Sequence, residues 1–372
     1  MAPDAARSGP CSQALIAGAT LKPQLAELLA DPVDLGPLVL EAAEEREGEV
    51  MEGALRAGSG KTYPVTNGIP RFLTASDAGQ LQTMKAFGYK WSKESSYGWL
   101  RTATDQGVYA TWLSEKYGFD SVASWCRHFD GKRILDLGCG AGMASYFWLA
   151  SPDWKARSPW VGVDISPAID VARQHLSHVP NSHFVQADAM QLPFKDGTFD
   201  AILSEGVLHH TPSTRLAIGS GARVLKNVGE FHFYVYRRKA PGREFSDDHV
   251  REKLRGMTDE EAWDAMRPLT KLARNLAALK AEVEVKEDVP ELGIKAGRQD
   301  VRRLIHWNFA KLFWNEAFDL EENVHINYDW YRPVYAHRQS VEEIRAWCDE
   351  AGLEVVRMHE QESGNTVRAA KR

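Results

Sequence analysis

The chain has 372 residues, with 45 Lys plus Arg against 51 Asp plus Glu, a formal net charge of −6 and 44% apolar residues. That suits a globular protein of roughly two domains, or one with large additions, and it offers no general basic field for nucleic acid. Four cysteines without CxxC spacing, Cys11, Cys126, Cys139 and Cys348, argue against a disulfide scaffold and a cysteine zinc site. No apolar run approaches the roughly 18 residues of a membrane span, and no basic stretch followed by an apolar block opens the chain, so a cytoplasmic protein without a membrane partner is expected.

Residues 1–19, rich in Ala, Ser, Gly and Pro, are expected to be mobile. A small α+β module is expected over residues 20–76. Leu21 to Ala30 has helical spacing, Asp31 to Leu38 reads as a turn, and Glu49 to Leu55 reads as a strand. Thr62 to Leu73 closes the module around Asn67-Gly68. Over residues 77–131 the pattern is helical and aromatic, with Phe87, Tyr89, Trp91, Tyr97, Trp99, Tyr109, Trp112 and Tyr117. Those rings suit the core of a helical cap or the wall of a ligand site.

The core is expected over residues 132–236. Arg133 to Leu137 is a short apolar run followed at once by Gly138, Gly140 and Gly142, and then by a helical pattern from Met143 to Ala150. A glycine turn from strand to helix lets a ligand approach the backbone where a Cβ would collide with it. Asp136 at the strand end would repel a pyrophosphate, so the turn suits a ligand with a positive group. A plain βα turn with a capping Asp is the competing reading. Trp160 to Ser166 is a second hydrophobic strand ending in Asp164, placed about 20 residues past the glycines to accept ribose hydroxyls, with Ile165 beside it for an adenine face. His183 to Ala189 ends a third strand at Asp188, and Phe199 to Ser204 runs into Glu205-Gly206-Val207-Leu208-His209-His210. Ser213 to Leu225 suits a helix capped by Ser213, Lys226 to Gly229 a turn, and Glu230 to Tyr236 a fifth strand. Arg237-Arg238-Lys239 reads as a solvated strand end.

Residues 237–338 interrupt the alternation. Helices are expected at Asp259 to Met266, Leu269 to Lys280 and Val301 to Phe318. Asn327 to Arg338 is dense in aromatic and hydrogen-bonding groups. Over residues 339–372, Ser340 to Ala351 reads as a helix with Ser340 as N-cap and Glu343 three residues into it, stopped by Gly352; Leu353 to Met358 and Thr366 to Ala370 form a closing strand pair.

Asp136 with the GxGxG turn, followed in order by Asp164, Asp188 and the Glu205 to His210 string, resembles the class I S-adenosylmethionine-dependent methyltransferases, and among them the small-molecule, quinone-methyltransferase-like branch. The resemblance implies an α/β, Rossmann-like sheet with helices on both faces, extended here by the front module and a large, mostly helical insertion after the fifth strand. It implies S-adenosylmethionine as cofactor, held by Asp136, Gly138, Cys139, Gly140, Gly142, Asp164, Ile165, Asp188, Ala189 and Glu205. Asp188 then lies near the adenine amino group, and Trp91 covers the methionine end from the 77–131 cap. No metal is expected. The Leu-Leu-Ala-x-Pro opening and Tyr63-Pro64-Val65-x-x-Gly68-Ile69-Pro70 resemble a zinc-ribbon-like family of methyltransferase activators. Asp31-Pro32-Val33-Asp34 stands where that family often has CPxC, so the module reads as metal-free.

Methyl transfer from a sulfonium is an in-line displacement in which orientation and exclusion of water supply most of the gain. A base is needed only for an acceptor that keeps its proton. His209 and His210 are the candidates, with acceptor hydrogen bonding or a structural role as the alternatives. Asp329, Tyr331 and His337 are chosen from the insertion for a pocket that takes a small polar or aromatic acceptor, with plain packing of the aromatics as the alternative. The expected function is methylation of a small molecule in specialised metabolite biosynthesis, and a homodimer is left open. An RNA methyltransferase is the runner-up, disfavoured by the net acidity. A catalytically silent adaptor would have no need of the intact Asp136, glycines, Asp164 and Asp188, and a nicotinamide oxidoreductase is disfavoured by Asp136.

Overall fold

The computed structural model describes residues 21–46, 48–73, 77–93, 106–157 and 159–372. The expectations for residues 1–19, Cys11, Tyr97 and Trp99 lie outside them. Strands β1 (Leu38–Arg46), β2 (Glu49–Ala57), β3 (Thr62–Thr66) and β4 (Ile69–Phe72) form an antiparallel meander. Five strands follow: β5 (Ile134–Leu137), β6 (Trp160–Asp164), β7 (Ser182–Ala187), β8 (Phe199–Glu205) and β9 (Leu225–Tyr236). A small hairpin, β10 (Glu282–Val285) and β11 (Gly297–Asp300), sits in the insertion, and β12 (Leu353–Glu360) with β13 (Gly364–Lys371) closes the chain.

All but the small hairpin join one 11-stranded sheet in the order β1-β2-β3-β4-β7-β6-β5-β8-β9-β13-β12. The run from β4 to β9 is parallel, and β13 is antiparallel to β9. The front module is therefore an extension of the main sheet, joined where Phe72 lies opposite Ala187. Strand order reverses between β5 and β8, which leaves a crevice at the carboxyl ends of the strands. The register lines those ends up: Leu137 faces Val163, Asp164 faces Gln186 and Glu205 faces Tyr234.

Alternation along the strands supplies two faces. Leu135, Leu137, Val161, Val163 and Ile202 share one core with Ala217, Ile218, Ile344 and Cys348, from helices α7 (Thr214–Val224) and α12 (Val341–Glu350). Ile134, Trp160, Ala201 and Leu203 share the other with Trp125, Trp148 and Ile169, from α4 (Val122–Phe129), α5 (Met143–Leu149) and α6 (Ala168–Leu176). This is the expected Rossmann-like α/β architecture with helices on both faces. Ser213 caps α7 through the Leu216 amide, and Ser340 and Glu343 form a reciprocal capping box on α12.

The expectations fail where burial and polarity depart from the simple pattern. Leu21, Leu25 and Leu29 are buried, but only Pro23–Ala26 (α1) is helical, because Leu21 bridges Val50 and Leu29 bridges Phe194. In the insertion, α9 (Asp259–Ala278) runs unbroken through Pro268, held by a capping box at Thr258 and Glu261 and by buried Trp263, Met266 and Ala273. Helix α10 (Val301–Asn308) stops well before Phe318. Two helices escape the apolar pattern, α8 (Pro241–Leu254) and α11 (Leu320–Tyr331). Their buried faces carry polar groups: Arg243 and Asp247 pair inside α8, and α11 buries Asn323, His325 and Asn327 beside Val324, Tyr328, Trp330 and Tyr331. A third core, including Tyr236, Trp263, Tyr328 and Trp330, packs this insertion onto the end of β9.

Candidate active site

Helices α2 (Ala78–Ser92) and α3 (Gln106–Lys116) lie over the carboxyl ends of β5, β6, β7 and β8, and together they enclose a cavity of about 390 Å³. Asp136, Gly138, Cys139, Gly140, Asp164, Ile165, Asp188, Ala189, Glu205, Trp91, His210 and Asp329 all line it. The glycine turn is built for close approach. Gly140 has φ +55°, and a Cβ there would stand 2.9 Å from the Trp91 indole nitrogen. Gly142 does not line the cavity; at φ +83° its missing Cβ makes room for Leu176, so its work is the packing of α5 against α6.

Three acids surround the turn. Asp136 is buried and accepts a 2.5 Å hydrogen bond from Ser145 Oγ, which in turn accepts from Trp160 Nε1. Burial lifts its carboxyl to about 7, with Asp164 and Glu205 adding to the rise and Ser145 opposing it. Asp164 accepts from the Gly140 amide at 2.9 Å and from the Ser166 amide and hydroxyl at 2.8 and 2.6 Å, tying β6 to the turn, and burial raises its pKa as well. Asp188 accepts from Gln80 Nε2 at 2.7 Å and from the Met190 amide at 2.8 Å. A buried carboxyl held near 7 beside two more acids favours a cation and disfavours a phosphate. S-adenosylmethionine, with its ammonium and sulfonium, fits; a dinucleotide pyrophosphate does not.

The far wall is aromatic and ionic. Glu205 is bound by Lys116 and accepts from Tyr117 Oη at 2.8 Å, while the Lys116 ammonium lies 3.6 Å from the centre of the Tyr234 ring. Lys90 on α2 bonds Asp329 on α11 at 2.5 Å and lies over the Trp91 ring, so the cap and the insertion are clasped together. Burial raises the Asp329 carboxyl, but Lys90 and His210 outweigh it and hold the group at about 2. Sequence reasoning missed Gln80 and Lys116; it held Lys90 only as part of the Phe87 to Trp91 stretch expected to cover the methionine end, and Tyr117 only as one of the cap's aromatic rings.

His210 follows β8 in a short turn, Leu208–His210. Its Nδ1 lies 2.6 Å from the Tyr335 carbonyl, which fixes that nitrogen as the donor and leaves Nε2 a lone-pair acceptor. Burial lowers its pKa to about 4, so the ring is neutral near pH 7.

The other expected residues stand elsewhere. His209 is fully buried, packed against the Tyr236 ring at 3.7 Å, and neither ring nitrogen has a hydrogen-bond partner among the described residues. Tyr331 is also fully buried, donating to Asp247 and to the Lys311 carbonyl inside the insertion. His337 stacks on Tyr335 and borders a separate cleft with Arg238 and Arg338. In the front module, Asp31 accepts from Tyr63 Oη and the Val33 amide, and Asp34 accepts from the Gly36 amide. Among the described residues one cluster has metal-ligand spacing, His128, Glu230 and His232. Lys132 also contacts His128 Nε2, and Arg368 contacts Glu230, so two cations already occupy that cluster.

Residues 135–233 match the family model described as a methyltransferase domain. Over 104 residues the chain is 34% identical to a "Probable phthiotriol/phenolphthiotriol dimycocerosates methyltransferase 2" of Mycobacterium ulcerans, covering 28% of this chain and 39% of that one. A "Fatty-acid O-methyltransferase" of Mycolicibacterium smegmatis is 38% identical over 104 residues, 27% of this chain and 36% of the relative. A "Probable tRNA methyltransferase 9B" of Mus musculus is 33% identical over 123 residues, 32% of this chain and 25% of the relative. The matches thus span well under half of each relative's length, and all three relatives are methyltransferases. Residues 135–233 of this chain form a class I S-adenosylmethionine-dependent methyltransferase domain, with S-adenosylmethionine as its cofactor.

Proposed function

We propose that the protein methylates a hydroxyl group of a small-molecule acceptor, in the setting of specialised metabolite biosynthesis. The observation that carries this reading is the neutral His210 ring, which lines the cofactor cavity with Nδ1 committed to the Tyr335 carbonyl and Nε2 left as an acceptor. In this reading Asp136 takes the cofactor's ammonium, Asp164 its ribose, Ile165 and Asp188 its adenine, and Trp91 covers its methionine end. Bound there, S-adenosylmethionine supplies an electrophilic methyl that the acceptor oxygen takes in line, the carbon–sulfur electron pair remaining on sulfur. His210 Nε2 holds the acceptor hydroxyl and receives its proton as the oxygen gains the methyl. A ring with a pKa of about 4 does not ionise a hydroxyl beforehand, but an oxygen bearing both methyl and proton is far more acidic than that ring, so the transfer runs downhill. Helices α2 and α3 and the insertion over residues 237–338 exclude water from the reacting atoms.

RNA methylation is the second reading. The name of the mouse relative and the activator-like string in the front module favour it; the net charge of −6 weighs against it. A cytoplasmic location and a homodimer belong to the same proposal as the small-molecule reading, and fractionation and light scattering test them. The deciding assay supplies methyl-labelled S-adenosylmethionine with a cell extract divided into small-molecule and RNA fractions. Label in the small-molecule fraction, lost in His210→Gln, is expected. Label in RNA would replace this reading with the second one.

A further inference from the structure

Beside the cofactor cavity lies a second cleft of about 580 Å³. The two share Lys90, Trp112, Glu205, Tyr234 and Asp329, so they are neighbouring parts of one space, and Lys116 lines the second. The second cleft adds Trp307 and Ile326 from the insertion and the turn at Gln361, Glu362 and Ser363 between β12 and β13. Its position, at the strand ends beyond the cofactor cavity and under the insertion, is where an acceptor would have to lie to reach the methyl group.

The lining specifies the chemistry of that acceptor. Every charged side chain in it, among the described residues, already has a partner: Lys90 with Asp329, Lys116 with Glu205, and Glu362 with Arg303. Burial holds the His325 ring in its neutral form. A charged acceptor would give up its hydration shell here and find no uncommitted counter-charge, which costs several-fold to many-fold in affinity. The apolar surface is tryptophan. Trp112 is 49% exposed although the ring is large and apolar, and Trp307 has the Arg243 guanidinium 5.9 Å from its ring centre. Rings of this kind bind flat ring systems by stacking and edge contacts.

We propose that this second cleft is the acceptor subsite and that it selects an uncharged, planar, hydroxyl-bearing ring system resting on Trp307. The inference depends on the small-molecule reading above, and its test separates the two. The full chain, saturated with S-adenosylhomocysteine, is titrated with 2-naphthol, 2-naphthoate and 2-naphthylmethylammonium at pH 7 by ligand-observed NMR. The neutral naphthol binds at least about tenfold more tightly than either charged analogue. Trp307→Ala weakens naphthol about tenfold, Trp307→Phe keeps most of the affinity, and S-adenosylhomocysteine binds all three proteins alike. Naphthol binding no better than its charged analogues, or indifferent to Trp307→Ala, or absent from the loaded parent protein, would overturn the assignment. Failure of S-adenosylhomocysteine itself to bind would instead remove the function on which it rests.

Discussion

Replacing Asp136 by Asn separates what that carboxylate costs the ligand-free protein from what it gives to binding. Its carboxyl is held at about 7 in place of the usual 3.8 by burial first, then by Asp164 and Glu205, against the Ser145 hydrogen bond. In the unfolded chain the group loses its proton near pH 4. Between pH 4 and pH 7 the folded protein therefore binds the extra proton, and stability falls as pH rises through that window. A shift of about three units corresponds to at most about 4 kcal/mol at pH 8. Asn has nearly the same shape and can still accept from Ser145 Oγ, so Asp136→Asn stabilises the ligand-free protein at pH 8 and leaves it little changed near pH 4. A cationic ligand reverses the balance. Only the ionised carboxylate makes a charge-assisted bond to an ammonium, so the parent protein binds S-adenosylhomocysteine about tenfold more tightly at pH 8 than at pH 6. At pH 8 the Asn variant binds it about 10- to 100-fold more weakly than the parent. Urea unfolding at pH 4 and 8, with calorimetry at pH 6 and 8, reads both effects. A variant that is less stable than the parent at pH 8 and binds the ligand equally well would refute the reasoning.

Gly140→Ala places a Cβ against the Trp91 indole in a left-handed backbone, so it costs about 1–2 kcal/mol in urea unfolding and weakens S-adenosylhomocysteine. His210→Gln lowers kcat about 100-fold while keeping cofactor affinity, whereas His209→Leu leaves kcat nearly unchanged; equal losses from both would contradict the placement of His209 behind the site. Tyr331→Phe removes the bonds to Asp247 and the Lys311 carbonyl, costs about 1–2 kcal/mol of stability, and leaves kcat/KM untouched.

The strand-end wall of the cavity is legible in the sequence because it is local. Asp136, Gly138, Gly140, Asp164, Ile165, Asp188 and Glu205 each sit at the end of a short buried strand, and parallel pairing in register brings strand ends together without further information. Gly142 shares the same string but is held by a long-range packing need, the Leu176 side chain, that the string does not express. The far wall of the cavity is written in pairings across long separations. Lys90 with Asp329 and Lys116 with Glu205 become visible only once α2, α3 and α11 are folded over the sheet. Helix α8 hides for a related reason, because its buried face carries the Arg243–Asp247 pair, and in α11 buried Asn323, His325 and Asn327 interrupt the apolar series of Val324, Tyr328 and Trp330. Aromatic density at Asn327 to Arg338 did mark a buried region, yet it could not tell Asp329, which reaches the cavity, from Tyr331, which turns away from it.

Calorimetric titration of the purified chain with S-adenosylhomocysteine, run beside NADH and repeated on Asp164→Ala, tests the central claim most directly. The account predicts micromolar binding of S-adenosylhomocysteine, its loss in the variant, and no heat from NADH. Binding of NADH in place of S-adenosylhomocysteine, or of neither, would contradict it.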